Sequence, residues 1–517
     1  MQHKKHALIS VWDKTGALDF ARGLAALGYG VISTGSTAAH LRAGGCDVTE
    51  VSELTGFPEC LDGRVKTLHP KVHAGILAMR ANPGHMAHLE QYGIGTIDIV
   101  AVNLYPFKET ISKPGVTLEE AIENIDIGGP SMLRSAAKNW NDVTVVCDSA
   151  DYEKVLAELQ NGGISRETRF ALSCKAFSLT AAYDALIAQY MRRVGGLDKF
   201  PEKLTLTFEL AQPMRYGENP HQAGAFYRDP IPAPGTLAHF KQLHGKEMSF
   251  CNVNDASGAI EALKDFDGGE ACAVAVKHST PCGVGVGDSI HEAYVNAHDA
   301  DPLSISGGIV ALNREVDAET AAEMAKIFLE IIIAPSYTPE ALAILTQKKN
   351  IRILALDGIT VKPPAGALDI KKVSGGLLAQ EINTALIDMA ALTYPTKLRP
   401  TAAQMEQLLY AWRAVKHTKS NAIVLWNGKS TAGVGAGQVN RVGSLAIAIQ
   451  TAGPRARGSV MASDAYIPFG DTVELAHNAG VAAIIQTGGS IRDQESIDLC
   501  DKYGIPMVFT GLRHFRH

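Results

Sequence analysis

Apolar residues in this chain cluster in short runs, and between them lie segments whose apolar positions recur at helical spacing. From residue 1 to about 160, the runs His6–Val11, Tyr29–Ser33, Ile97–Leu104 and Val143–Cys147 read as strands. Ala17–Leu27, Thr37–Ala43, Leu118–Ile125, Met132–Asn139 and Tyr152–Leu159 read as helices. Strands that alternate with helices through short connections predict a doubly wound, mostly parallel sheet. A long helical stretch, Ser165 to Arg193, follows, and Val194-Gly-Gly-Leu-Asp-Lys-Phe-Pro201 then reads as a linker. The expected domains are 1–195 and 202–517.

The second region repeats a design. Ala271–Val276 is an apolar run that stops at Lys277-His278 and leads into Pro281-Cys-Gly-Val-Gly-Val-Gly287, read as a Gly- and Pro-rich loop. Ala422–Trp426 leads similarly into Gly433-Val-Gly-Ala-Gly-Gln438. The pattern predicts an internal duplication.

Composition narrows the function classes. At 517 residues the chain exceeds a single core. It is 46% hydrophobic and 20% charged, with a net charge of −6 and no basic block, which argues against a nucleic-acid partner. The eight cysteines are scattered without a Cys-x-x-Cys pair, a pattern expected of a reduced, cytoplasmic protein without structural zinc. The apolar start is too short for a signal peptide, and no run reads as a membrane span.

Several segments carry chemistry. Lys277-His278 sets a cation beside a base at a strand end, where α/β proteins bind ligands. Ser33-Thr34-Gly35-Ser36-Thr37 joins a strand to a helix; its N–H groups and hydroxyls, with Ser10 and Lys14 from the first strand's end, suit a phosphate. Gly63–His73 brings together Arg64, Lys66, Thr67, His69 and His73. The two histidines are four apart without an intervening Glu, which disfavours a metal. Asp126-Ile-Gly128-Gly-Pro130 places two glycines and an acid before a helix that carries Lys138. Arg215-Tyr-Gly-Glu-Asn-Pro-His-Gln222 is a dense polar turn. Pro281-Cys282 has Gly285 where a zinc deaminase needs its second cysteine.

Together these segments resemble one family. Ser10-Val-Trp12-Asp13-Lys14, Arg64-Val-Lys-Thr-Leu-His-Pro, Asn103-Leu-Tyr105-Pro-Phe, Asp126-Ile-Gly-Gly and Ala136-Ala-Lys-Asn139 match its N-terminal half. Arg215-Tyr-Gly-Glu-Asn-Pro-His-Gln, Val276-Lys-His, Ser420-Asn421, Gly435-Ala-Gly-Gln and Arg513-His-Phe-Arg-His517 match the rest. The family joins AICAR transformylase to IMP cyclohydrolase in purine biosynthesis, and the resemblance covers essentially the whole chain. It implies an α/β fold with an N-terminal methylglyoxal-synthase-like domain and a C-terminal tandem cytidine-deaminase-like domain without zinc.

The resemblance also implies 10-formyltetrahydrofolate as co-substrate, no catalytic metal, and a homodimer with transformylase sites at the subunit interface. It assigns catalysis to Lys277 and His278 for formyl transfer, and to Lys66, Tyr105, Asp126 and Lys138 for ring closure. It implies that Ser10, Trp12, Asp13, Lys14, Thr34, Gly35, Ser36, Thr37, Arg64, Lys66, Thr67, Asn103 and Gly128 bind the cyclohydrolase nucleotide. Arg215, Tyr216, Asn252, Gly307, Glu330, Asn421, Arg513 and Phe515 are implied for AICAR, and Arg441, Tyr466, Asp471, Ser490 and Ile491 for folate. Ser36 replaces a usual Gly, and Glu330 stands where some members have Asp. The rival readings are a nucleotide sensor with a single activity and a zinc deaminase.

Overall fold

The computed structural model describes residues 5–517. It divides into two compact units between Phe208 and Glu209.

The first unit holds five strands: β1 (His6–Ser10), β2 (Gly30–Ser33), β3 (Val48–Glu50), β4 (Ile97–Val102) and β5 (Thr144–Val146). All pair in parallel, in the order β3-β2-β1-β4-β5. The chain order reverses between β1 and β4, so a crevice opens past the carboxyl ends of those two strands. Its helices among the described residues are α1 (Ala17–Ala26), α2 (Gly35–Ala43), α3 (Val51–Thr55), α4 (Pro70–Leu77), α5 (Pro83–Gln91), α6 (Phe107–Ile111), α7 (Leu118–Glu123), α8 (Gly128–Lys138), α9 (Tyr152–Gln160) and α10 (Arg166–Val194).

Leu8, Ile9, Ile32 and Val100 on the strands meet Phe20, Leu24, Leu133 and Ala136 on the helices in the core. The sequence reading had no run long enough for a membrane. Among the described residues one helix, α10, is long and apolar enough by length and composition. Its Leu172 and Ala176 belong to the sheet's core, and Ser173 Oγ donates to the Ala137 carbonyl.

The second unit is built on an eleven-stranded sheet. Its strands are β6 (Glu209–Met214), β7 (Gly224–Arg228), β8 (Lys241–His244), β9 (Ala271–Lys277), β10 (Thr280–Gly287), β11 (Ile309–Leu312), β12 (Ile331–Ala334), β13 (Arg352–Ala355), β14 (Leu368–Val373), β15 (Gly376–Glu381), β16 (Ile423–Asn427), β17 (Ser430–Gly435), β18 (Val460–Ser463), β19 (Ala483–Gln486) and β20 (Met507–Phe509). The pairs β6–β7 and β14–β15 form separate hairpins. The helices are α11 (Phe250–Leu263), α12 (Ile290–Ala300), α13 (Ala318–Met324), α14 (Pro339–Leu345), α15 (Ala402–Lys416), α16 (Arg441–Ala452), α17 (Gly470–Ala479) and α18 (Asp493–Tyr503).

The order β20-β19-β18-β16-β17-β10-β9-β11-β12-β13-β8 is a mirror about the β17–β10 seam, apart from the added β8. Each half runs helix, hairpin, then three further strands joined by helices. The glycine runs explain this packing and correct the reading of residues 281–287 as a loop. They form strands β10 and β17. A Cβ on Gly283 or Gly285 would overlap carbonyl oxygens of α12, and one on Gly433 or Gly435 would overlap those of α16. Each helix therefore lies with its backbone directly on a glycine-lined strand, a contact no larger residue permits.

Candidate functional site

The first site forms where β1, β2 and β4 end. Ser10 and Thr34 hydroxyls lie 3.1 Å apart. Thr34 precedes α2 without a side-chain cap, so the first-turn N–H groups of Gly35 and Ser36 face outward with the positive end of the helix. Gly35 has φ 46° and carries the turn; Ser36 lies within the helix and needs no glycine. Lys66 Nζ stands 3.4 Å from where a Gly35 Cβ would sit, and 3.1 Å from Glu59. Lys14 Nζ donates to the Trp12 carbonyl at 3.3 Å. The Lys66 ammonium thus stands beside open N–H groups, which suits a phosphate.

Thr37 departs from expectation. Its side chain is buried and both accepts from Val11 N–H at 3.1 Å and donates to Val11 C=O at 2.9 Å. It ties β1 to α2 rather than facing a ligand. Asn103 is likewise a clamp: its amide oxygen accepts from the N–H of Trp12 (2.6 Å) and Asp13 (3.2 Å), and its nitrogen donates to Asp13 C=O (2.8 Å). The clamp joins the β1 and β4 loops and brings the exposed rings of Trp12 and Tyr105 edge to face, 5.5 Å between centroids.

Asp126 sits deeper. Its carboxylate accepts from Gly129 N–H at 2.8 Å and from Tyr105 N–H, while Tyr183 of α10 receives Asp126 N–H at 2.9 Å and donates to Asn124 C=O. Burial raises the carboxyl pKa, and the two N–H donors only partly counter it. The glycines do not precede the helix, as the sequence reading held; α8 begins at Gly128. A Cβ on Gly128 would stand 2.6 Å from Thr67 Oγ1, and one on Gly129 2.5 Å from Asp126 Oδ2. The glycines let Thr67 and Asp126 reach the helix start. Arg64 pairs with Glu123.

Within residues 63–73, α4 starts at Pro70 with His69 as its cap. Lys138 lies at the far end of the same helix as Gly128. It is exposed at the last turn of α8, about 15 Å along the axis from Gly128 at 1.5 Å per residue.

The second site lies on the β9–β10 hairpin. Lys277 pairs with Thr280, so His278-Ser279 is a two-residue turn. Both residues are left-handed, φ 53° and 58°. Such turns favour Asn-Gly, and non-glycine residues there are held only by their surroundings. Asp255 supplies that hold, accepting from His278 N–H at 3.2 Å and Ser279 Oγ at 2.9 Å; Asn254 Nδ2 donates to Ser279 Oγ at 2.7 Å. The corresponding β16–β17 turn uses Gly428, φ 66°, whose N–H donates to Gln407 Oε1 of α15 at 2.9 Å.

Sequence reasoning missed Asp255. It sits 23 residues before His278 on a helix, and no local motif marks it. Lys277 Nζ donates to Ser306 C=O at 2.8 Å, beside Gly307 at φ 72°. Glu330 Oε1 accepts from Arg352 at 2.7 Å, which anchors the longer side chain. Arg215 lies over the Tyr216 ring, and both line a small cleft with Gln212, Glu247, Met248 and Ser249. Asn252 closes a capping box with Ser249, so its oxygen is spent on helix α11. Cys282 is held in β10 with its thiol donating to Ala275 C=O and its pKa pushed up to about 12 by burial.

In the second half, Arg441 is buried rather than open to a ligand. Its guanidinium binds Asp464, Ser463 Oγ (2.9 Å) and Asn421 Oδ1 (3.0 Å). It orients Asn421, whose Nδ2 donates to Gln438 C=O. Arg513 lies 4.3 Å over the exposed Phe515 ring. Tyr466 and Ile491 are exposed; Asp471 opens α17, and Ser490 N–H bonds Asp493.

Residues 136–451 match the AICARFT/IMPCHase bienzyme model, and residues 16–131 match the MGS-like domain. The chain is 58% identical over 514 residues to the bifunctional purine biosynthesis protein PurH of Ruminiclostridium cellulolyticum, covering 99% of this chain and 100% of the relative. It is 57% identical over 514 residues to the protein of the same name from Acetivibrio thermocellus, at the same coverage. Against that of Halalkalibacterium halodurans it is 56% identical over 515 residues, covering 99% of this chain and 100% of the relative. Two ordered family matches and full-length likeness have one reading: the chain belongs to the AICARFT/IMPCHase bienzyme family.

Proposed function

We propose that the two reactions of this family run at the two places described, ring closure in the first unit and formyl transfer in the second. The enzyme moves a formyl group from 10-formyltetrahydrofolate to the 5-amino group of AICAR, then closes formyl-AICAR to IMP with loss of water.

In the first step the amine nitrogen bonds the formyl carbon and the bond from that carbon to folate N10 breaks. The amine is a weak nucleophile, its lone pair delocalised into the ring and carboxamide. His278 takes the amine proton and Lys277 faces the oxyanion, with N10 leaving protonated. Arg215, Tyr216, Gly307, Glu330, Asn421, Arg513 and Phe515 face the nucleotide, and Tyr466, Asp471, Ser490 and Ile491 the folate. The reading assigns the enzyme to a homodimer whose transformylase sites draw on both subunits, and to the cytoplasm.

In the second step the carboxamide nitrogen bonds the formamido carbon and the carbon–oxygen bond breaks; the departing water carries one proton from the carboxamide nitrogen and one from the formamido N–H. Asp126, its basicity raised by burial, takes the nitrogen's proton, and Tyr105 stands at its side. Lys66, Lys14 and the open N–H groups of Gly35 and Ser36 hold the phosphate; Arg64 and Thr67 hold base and ribose. Thr37, Asn103, Asn252 and Arg441 act by positioning, and Lys138 assists the proton transfers of ring closure.

The observation that carries the reading is the His278-Ser279 turn, strained and held by Asp255 where plain hairpin chemistry would choose glycine. The test is His278→Ala in the full chain. Formyl transfer is lost and cyclisation of supplied formyl-AICAR persists. Loss of both activities in a folded protein overturns the division.

A further inference from the structure

Segment 510–516 has no helix or strand of its own, yet it carries Arg513 and Phe515. Ordering such a segment costs backbone entropy at every residue, so other groups must hold it. Arg516 is placed to do so. Its N–H donates to Ser420 Oγ at 3.1 Å, and its carbonyl accepts Ser420 N–H at 2.9 Å, immediately before Asn421. Its guanidinium reaches Glu261 Oε2 on α11 at 2.9 Å and His417 Nδ1, just past α15, at 3.5 Å.

Beneath it lies a buried polar chain. His417 Nε2 meets Asp265 Oδ2 at 2.6 Å, and Lys416 Nζ meets the same oxygen at 2.8 Å. If Nε2–H donates to Asp265, Nδ1 is the acceptor that Arg516 needs. Charges balance along the chain: Lys416 with Asp265, and Arg516 with Glu261. Ser257 Oγ donates to Glu261 Oε1 at 3.0 Å and fixes that carboxylate. A lone surface ion pair contributes little. This one joins three elements and a backbone pair.

We propose that Arg516 is a positioning residue for formyl transfer: it latches segment 510–516 to α11 and the end of α15, so that Arg513, Phe515 and Asn421 face the nucleotide together. The proposal rests on the reading that those three residues contact AICAR. It adds a role for Arg516, Glu261 and His417 in holding those three residues in place.

The test uses the full chain with Arg516→Ala, Arg516→Lys and Glu261→Gln. Steady-state formyl transfer gives KM for AICAR and for 10-formyltetrahydrofolate; hydrogen exchange reads the amides of 510–516; cyclisation of supplied formyl-AICAR checks that the first unit is intact. In Arg516→Ala, KM for AICAR rises about tenfold, the equivalent of one lost factor of ten in binding. The folate KM and kcat move less than about twofold, as loss of ground-state binding requires. Exchange in 510–516 accelerates and cyclisation holds. Glu261→Gln shows the same pattern more weakly, and Arg516→Lys recovers part of the KM. Unchanged exchange overturns the latch itself. Faster exchange with an unchanged AICAR KM leaves the latch standing and overturns the placing of Arg513 and Phe515 at the nucleotide. A fall in kcat with unchanged KM overturns the positioning role.

Discussion

Replacing Asp126 with Asn isolates the basic carboxylate from its structural duties. The amide oxygen of Asn can still accept Gly129 N–H, now 2.8 Å from Oδ1, so the start of α8 keeps its cap. The proton acceptor is what disappears. A positioned general base contributes roughly 10²–10⁴ in rate, about 2.7–5.4 kcal/mol of barrier. Cyclisation kcat should therefore fall by about 10²–10⁴ while formyl transfer is unaltered.

Stability should move the other way. Burial raises the Asp126 pKa above its ordinary 3.8, so the folded chain binds the proton more tightly than the unfolded one. The stabilising effect of that proton is complete below 3.8 and is lost as pH rises through the raised folded value. At neutral pH the ionised carboxylate is thus a burden that the neutral amide relieves. The same shift moves the acid limb of the wild-type cyclisation profile to higher pH than an unperturbed Asp would give. The assay is absorbance-monitored closure of supplied formyl-AICAR from pH 4 to 9, with urea unfolding at the same values. An Asp126→Asn enzyme that closes the ring within about tenfold of wild type would refute the base assignment.

Lys277→Ala should lower formyl-transfer kcat by about 10²–10³, the cost of a lost oxyanion donor, with cyclisation intact; an effect confined to KM would make Lys277 a binding group only. Arg441→Met leaves Asp464 buried without its partner and should destabilise the second unit by about 3–5 kcal/mol in urea unfolding; a stable variant that loses only folate binding would return Arg441 to the ligand. Thr37→Val strands the Val11 N–H and C=O and should cost about 1–3 kcal/mol with little change in nucleotide KM. The reverse pattern, a large KM rise in a stable protein, would place that hydroxyl at the phosphate. Gly128→Ala drives a methyl against Thr67 and should impair cyclisation but not formyl transfer, measured by separate assays of each step.

Residue order alone carried much of this protein. The alternation of apolar runs with helical spacing encodes a parallel sheet in the first unit, and the Lys277-His278 and Ser33–Thr37 segments fall at strand ends. These are local signals, since periodicity and turn residues act within a few positions. The glycine runs were visible, but their meaning was not. A glycine that opens a loop and one that admits a helix backbone look the same until the facing helix is known.

Tertiary structure decided what each polar residue is free to do. Thr37, Asn103, Asn252 and Arg441 have ligand-binding chemistry, and folding spends it on Val11, the β1 loop, Ser249 and Asp464. Asp255 and Arg516 have no motif, and folding sets them against His278 and Glu261, 23 and 255 positions away. The physical reason is that each donor hydrogen or acceptor lone pair serves protein or ligand, not both. Which one it meets depends on contacts between distant segments, and those form only when the sheet and its helices close.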